Sequence, residues 1–453
     1  MNKKGAVSPA RAVSYQILLQ MESAGAHSDE LLRSREVDAL SAQDRNLATT
    51  LVMGTLRWQM ALDARIHPLL SRPGAKLSPE AAAALRLGAY QLLYLDRIPV
   101  HAAISESVEL VKQSQDHFAA GMVNAVLRKV AGQKVETGVP LNTSRQIADA
   151  YAHPVWMVER WTRFYGNQAA EAVCAFDQQP ASVTLRLLDD TAEEDLKSEG
   201  LEFVPGEFLR AARRVLRGDV TRTEVFRAGR VRIQEEGSQL VAELAAAAQP
   251  GAQRILDVCA APGGKTAILA ERNRMAEITA LDVSQRRLDA MRRWMKRFDP
   301  AGRIRFEVAD AAQQRLRASY DLILCDVPCS GTGTIARNPE IRFRVDEAGL
   351  ARQRAKQIAI LKAALEGLAP GGQLVYSTCS LEPEENEAVL AECLEGNSSF
   401  QIVPVERVMA ALVENGVLMA DVSGQMVVKD CLRTIPGVQP CDGFFAAVVE
   451  RRG

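Results

Sequence analysis

Apolar residues recur at three- and four-residue spacing through the first 130 positions of the chain, the pattern of helices that bury one face. It predicts helices over 10–22, 42–70, 79–94, 102–115 and 118–130, interrupted at Pro73-Gly74 and at Pro99, and hence an all-helical domain over 1–138. The pattern changes near 235. From there, short runs rich in apolar and β-branched residues (254–260, 278–282, 304–308, 320–326, 373–376 and 444–450) alternate with helical stretches. Such alternation predicts a parallel sheet covered by helices on both faces, an α/β domain over 235–453. Between the two, strand-like runs at 182–188 and 230–234 and a helix at 192–198 predict a small α+β module over 139–234.

A chain of 453 residues exceeds what one hydrophobic core serves, which agrees with a multidomain reading. The net charge of −1 excludes a global attraction to polyanions, so nucleic acid has to be met by local patches. Two candidates stand out. Through residue 135, sixteen Lys and Arg stand against twelve Asp and Glu, a balance of +4, and from Arg210 to Arg232 eight arginines face only Asp219 and Glu224. An ordinary solvated surface remains an open alternative for both. Eight scattered cysteines, without a signal-peptide run, imply reduced thiols and a cytoplasmic protein. No apolar stretch reaches the roughly 20 residues of a membrane span. No cysteine spacing includes a histidine in the manner of a zinc site, so no metal is expected.

The chemistry gathers where predicted strands end. Cys259, Ala260, Ala261, Pro262, Gly263, Gly264 and Lys265 follow the first strand of the α/β domain and lead into a helix. The glycine pair lets backbone approach a ligand closely. A phosphate-binding loop of the Walker type would need glycine at 259, and the three spaced glycines of an NAD fingerprint are missing. Asp282 ends the second strand, where a carboxylate can accept from ribose hydroxyls. Asp310 is expected to end the third, and could reach an adenine amino group or merely cap a turn. Together they outline an adenosine site without a phosphate binder, the shape of S-adenosylmethionine.

Two thiols complete the picture: Cys329 in the turn Asp326-Val-Pro-Cys-Ser-Gly-Thr-Gly333, and Cys379 in Tyr376-Ser-Thr-Cys-Ser380. A pair of thiols in polar turns at strand ends suits covalent attack on a pyrimidine ring and its later release. Asp326 is placed to stabilise charge on the base edge. The Asp-Val-Pro-Cys loop lacks the aromatic residue of amino-group methyltransferases, which disfavours that chemistry. Local sequence leaves open which cysteine attacks. The basic segment 337–344 is expected to border the substrate groove.

Segments 45–58, 92–99 and 123–128 resemble the helices of the RNA-binding antitermination factor NusB. Together with the Cys-Ala-Ala-Pro-Gly-Gly-Lys loop and the Thr-Cys-Ser turn, they make the whole chain similar to bacterial 16S rRNA cytosine-5 methyltransferases of the RsmB (Sun/Fmu) type, RNA m5C enzymes with a NusB-like amino-terminal domain. The resemblance implies a Rossmann-like methyltransferase domain with S-adenosylmethionine bound by Cys259 to Lys265, Asp282, Asp310 and Asp326. It also implies Cys379 as nucleophile and Cys329 as the product-release cysteine, with Asp326 and Lys265 beside them. The implied partner is small-subunit ribosomal RNA, and the protein is expected to act as a monomer. Val327 and Phe343 depart from the usual Ala and Trp. Two alternatives stay open: an antitermination or ribosome-assembly factor with an inactive methyltransferase domain, and an m5C enzyme acting on tRNA or DNA.

Overall fold

The computed structural model describes residues 7–453 apart from 25, 73, 75, 135–139, 300, 301, 315, 317, 318 and 421. The backbone divides into two units: Met1–Gln179 with Ile335–Arg344, and Pro180–Thr334 with Val345–Gly453.

In the first unit, helices Pro9–Ala24, Ala42–Ile66, Pro79–Tyr94, Val100–Lys112 and Ala120–Val130 lie close to their predicted positions. Capping explains where two of them start. Ser41 Oγ accepts the Asp44 N–H and Ser78 Oγ accepts the Ala81 N–H, each at 3.1 Å, and Pro79 takes the first helical position. Leu51, Leu62, Leu85, Leu87 and Leu127 are fully buried between these helices. The chain break at Pro99 appears as the cap of the helix from Val100, whereas Pro73 and the domain boundary expected near 138 lie outside the described residues. Helices Ser144–Ala150, Val155–Tyr165 and Asn167–Asp177 occupy a stretch where the sequence pattern predicts none. They belong to this unit, so residues 139–234 divide between the two.

The segment Ile335–Arg344 also packs in the helical unit. Ile335 and Ala336 are buried, and the Glu340 carboxylate accepts both the N–H and the hydroxyl of Ser28 at 3.0 Å. Arg342 is enclosed, donating from Nη1 to the carbonyls of Arg57 and Ala152 at 2.9 Å. The groove-bordering role expected for this basic segment therefore does not extend to Arg342, whose charge is turned inward.

The second unit opens with a small antiparallel sheet: β1 (Thr184–Leu187), β2 (Glu202–Pro205), β3 (Ala212–Arg217) and β4 (Val231–Ile233), in the order β2-β3-β1-β4. A buried ion network holds it to helices Glu236–Ala248 and Gly264–Arg272. Arg186 Nη2 lies 2.6 Å from Glu243 and 2.7 Å from Glu271, while Arg232 reaches Glu271 at 2.6 Å. The arginine run proves largely neutralised within the unit. Arg213 pairs with Glu193, Arg217 with Glu202, Arg222 with Asp219, Arg227 with Glu224, Arg230 with Asp189 and Asp195, and Arg232 with Glu271. Carboxylates distant in sequence, invisible to a local charge count, supply most of these partners.

The larger sheet contains β5 (Arg254–Asp257), β6 (Glu277–Asp282), β7 (Ile304–Val308), β8 (Tyr320–Asp326), β9 (Leu368–Thr378), β10 (Phe400–Val403), β11 (Val427–Val428), β12 (Cys431–Arg433) and β13 (Phe445–Arg451). Its order is β11-β12-β13-β9-β8-β5-β6-β7, with β10 pairing β13. Strands β5 to β9 pair in parallel, and β10 to β13 add antiparallel edges. Leu322, Ile323, Leu324 and Cys325 in the middle of β8 are wholly buried, which is why the run is apolar without alternation. Among the described residues, no helix is long and apolar enough to cross a membrane.

Candidate active site

Because β5, β6, β8 and β9 run in one direction, their carboxyl ends share an edge of the sheet. Asp257, Asp282 and Asp326 are the last residues of β5, β6 and β8, and Cys379 directly follows β9. Cys329 lies three residues past Asp326, in the next turn.

The two thiols meet. Cys329 Sγ and Cys379 Sγ are 3.4 Å apart, and both residues are half-buried. The hydrogen-bonded contact with Cys379, reinforced by burial, pushes the Cys329 thiol well above the ordinary range. Lys265 Nζ lies 2.7 Å from Asp326 Oδ2, while Asp326 Oδ1 accepts the Ser377 hydroxyl at 2.7 Å. Burial works against the Lys265 ammonium, but Asp326 and then Cys379 outweigh it and raise its pKa.

Backbone contacts fix the turns. Gly333 N–H donates to the Cys379 carbonyl at 3.0 Å, and Gly443 N–H donates to the Gly333 carbonyl at 2.7 Å. A Cβ at Gly333 would fall 2.3 Å from the Gly443 carbonyl oxygen, so the approach requires glycine. Asn386, fully buried, donates to the Ser380 carbonyl at 2.9 Å, and Glu385 and Gln357 lie buried beneath the same turns. Sequence reasoning missed all three. Glu385 and Asn386 sit in Glu-Pro-Glu-Glu-Asn-Glu, which reads as solvated polar chain; the only signal was its nearness to Cys379.

At the glycine loop, Ala260 and Ala261 are buried and Cys259 is half-buried, its thiol pushed up by burial. Pro262 leads into Gly263, which has φ +107°; a Cβ there would fall 2.8 Å from Met291 Cγ. Gly264 begins the following helix. Asp282 Oδ2 accepts the Ala261 N–H at 3.2 Å, and Oδ1 accepts the Ser284 N–H at 2.9 Å. The glycines make room for Met291 and Gln234, and the loop lies beside the Asp282 carboxylate at the end of the neighbouring strand, with Arg287 Nη2 3.2 Å from Asp282 Oδ2. Asp310 lies two residues beyond β7 and accepts the Ala312 N–H at 3.0 Å and Gln313 Nε2 at 2.8 Å, anchoring the turn that follows. Asp257, absent from the expected set, is fully buried, accepts the Thr266 hydroxyl at 2.7 Å, and has its carboxyl pushed up to about 7 by burial. Its place at a strand end, like that of Asp282 and Asp326, was the available signal.

Comparison with known proteins identifies the family of the chain. The family model for the 16S rRNA methyltransferase RsmB/F matches residues 245–450, and that of the NusB family matches residues 8–132. The probable ribosomal RNA small subunit methyltransferase B of Bacillus subtilis (strain 168) is 32% identical over 461 residues, covering 98% of this chain and 99% of that protein. Ribosomal RNA small subunit methyltransferase B of Xanthomonas campestris is 32% identical, covering 90% of this chain and 89% of its own. Among solved structures, the crystal structure of PH0851 shares the fold with a TM-score of 0.79 at 23% identity, covering 98% of this chain and 99% of that one. A methyltransferase homolog from Pyrococcus horikoshii aligns with a TM-score of 0.56 at 26% identity over 68% of this chain and 98% of its own. With strand-end aspartates, a glycine-paired loop and two touching thiols on its sheet, and NusB-family helices before them, the chain belongs to the RsmB/F family of 16S rRNA methyltransferases.

Proposed function

We propose that the protein methylates carbon 5 of a cytosine in RNA through a covalent cysteine adduct, and that small-subunit ribosomal RNA carries the target. The observation that carries this reading is the 3.4 Å contact between Cys329 and Cys379 at the ends of neighbouring parallel strands, beside the Lys265–Asp326 pair. Carbon 5 of cytosine is a poor nucleophile until something adds to carbon 6. Cys379, as thiolate, forms the S–C6 bond, and the displaced π electrons make C5 an enamine carbon. Asp326, with Lys265 alongside, stabilises charge on the N3 and N4 edge of the ring. Cys259 to Lys265, Asp282, Asp310 and Asp326 would hold S-adenosylmethionine, which would supply the methyl group. A base then takes the C5 proton, the S–C6 bond breaks, and the ring double bond returns. Cys329, whose sulfur lies 3.4 Å from that of Cys379, is the group at hand for the release step. The helical unit contributes RNA docking, in line with its match to the NusB family and with recognition of structured RNA through phosphates and shape.

Incubation with methyl-labelled S-adenosylmethionine and separate RNA and DNA pools tests the substrate class: label should enter 5-methylcytosine in 16S rRNA. Label in DNA alone, or none at all, would remove the reading in favour of a DNA enzyme or a non-catalytic assembly factor. Cys379→Ala should abolish both methylation and any covalent RNA adduct, whereas Cys329→Ala should accumulate an adduct that survives denaturant. The reverse pattern would exchange their roles.

A further inference from the structure

The two thiols hang from turns 50 residues apart in sequence, and a single carboxylate spans both. Glu385 is fully enclosed. Its Oε1 accepts the Ser330 N–H at 2.9 Å and Gln357 Nε2 at 2.9 Å, and its Oε2 accepts the hydroxyls of Ser330 and Ser380. Those serines are the residues immediately after Cys329 and Cys379. Gln357 Nε2 also donates at 3.0 Å to the carbonyl of Pro328, the residue before Cys329, so both flanks of that thiol are held. Glu385 is itself pinned, because its carbonyl accepts the hydroxyl of the buried Tyr376 at 2.6 Å.

We propose that Glu385 is a positioning residue that sets the separation and aim of the two reactive thiols by tying Ser330 and Ser380 to one buried carboxylate. A group serving packing alone would be poorly chosen. Among the described residues no Lys or Arg pairs with it, and enclosing a carboxylate without a cation is costly unless donors satisfy its oxygens. Four donors do so here, three from the two turns and one from Gln357 on the helix Glu347–Glu366, as acceptor-only chemistry requires. Glutamine would keep the size but turn an NH2 toward one pair of donors. The clamp would slacken while the surrounding core stays filled.

The proposal rests on the two-thiol chemistry of the preceding subsection, and its test has one arm independent of that chemistry. Diamide oxidation of the folded protein, followed by peptide mapping, reports how readily Cys329 and Cys379 close into a disulfide. In Glu385→Gln, closure should slow by roughly tenfold, and methyl transfer to RNA should lose on the order of a hundredfold in kcat, the scale on which misplaced reacting groups act. Affinity for S-adenosylhomocysteine and the KM for RNA should stay near the parent values. If Glu385→Gln fails to fold, the double variant Ser330→Ala with Ser380→Ala carries the same expectation. Parent-like closure and kcat in a folded variant would overturn the clamp. A parent enzyme that methylates RNA at an atom other than cytosine C5 would overturn the two-thiol chemistry instead, leaving the closure rate to judge Glu385.

Discussion

Burial makes the proton of Asp257 part of the fold. Its carboxyl titrates near 7 in the folded protein, through desolvation first and the nearby Asp326 charge as a further contribution, against about 3.9 in an unfolded chain. Between those values the folded state holds a proton that the unfolded state has released. The stability associated with the neutral acid is therefore fully present below pH ~4 and is lost as pH rises toward 7. Thermal unfolding of the parent should show a melting temperature that declines from pH 5 to pH 8 more steeply than in Asp257→Asn, whose side chain has no proton to lose. Parallel slopes would show that Asp257 does not titrate in this range.

Where an element carries its own pattern, sequence and structure agree closely. β8 coincides with the run 320–326 because residues buried on both faces leave no choice but continuous apolar, strand-forming side chains, and the edge strand β7 coincides with 304–308 because Ile-Arg-Phe-Glu-Val alternates apolar and charged residues. β3 escaped because Ala-Arg-Arg-Val-Leu-Arg reads as charge; Arg213 and Arg217 pair with Glu193 and Glu202, contacts that exist only after folding. The helix Val155–Tyr165 was hidden differently, by Val, Trp, Phe and Tyr, residues that favour strands when taken locally. The candidate site divides along the same line. Motif residues such as Cys329, Cys379 and Lys265 were legible, while Glu385, Gln357 and Asn386 were not, since their meaning lies in donors brought from other turns. Gly333 shows how tightly those turns fit. Gly333→Ala places a methyl group against the Gly443 carbonyl and should separate the 329–334 turn from its neighbours, lowering methyl transfer at least tenfold and lowering the melting temperature as well, since overpacking against backbone costs about 1–3 kcal/mol. Activity at the parent level would mean that the turn accommodates the methyl without moving Cys329.

At the scale of the whole molecule, periodicity revealed a helical part and a sheet part but not their path. The chain leaves the sheet unit after Thr334, spends Ile335–Arg344 in the helical unit, and returns at Val345. A protein beginning at Pro180 would keep Cys329 and Cys379 but strip Glu340 of Ser28 and Arg342 of the Arg57 and Ala152 carbonyls. Such a truncation should be less soluble than the full chain and should lose hydrogen-exchange protection across 335–344. Full protection there, with an unchanged melting temperature, would show that the segment holds its shape alone.

The same excursion bears on inheritance. Covalent junctions at 179/180, 334/335 and 344/345 stitch the two units together, so no single break in a gene or in a peptide bond can release one from the other. Any ancestor assembled from a separate helical protein and a separate sheet protein needed more than an end-to-end fusion: ten residues shortly downstream of Cys329 had to become part of the other partner's core.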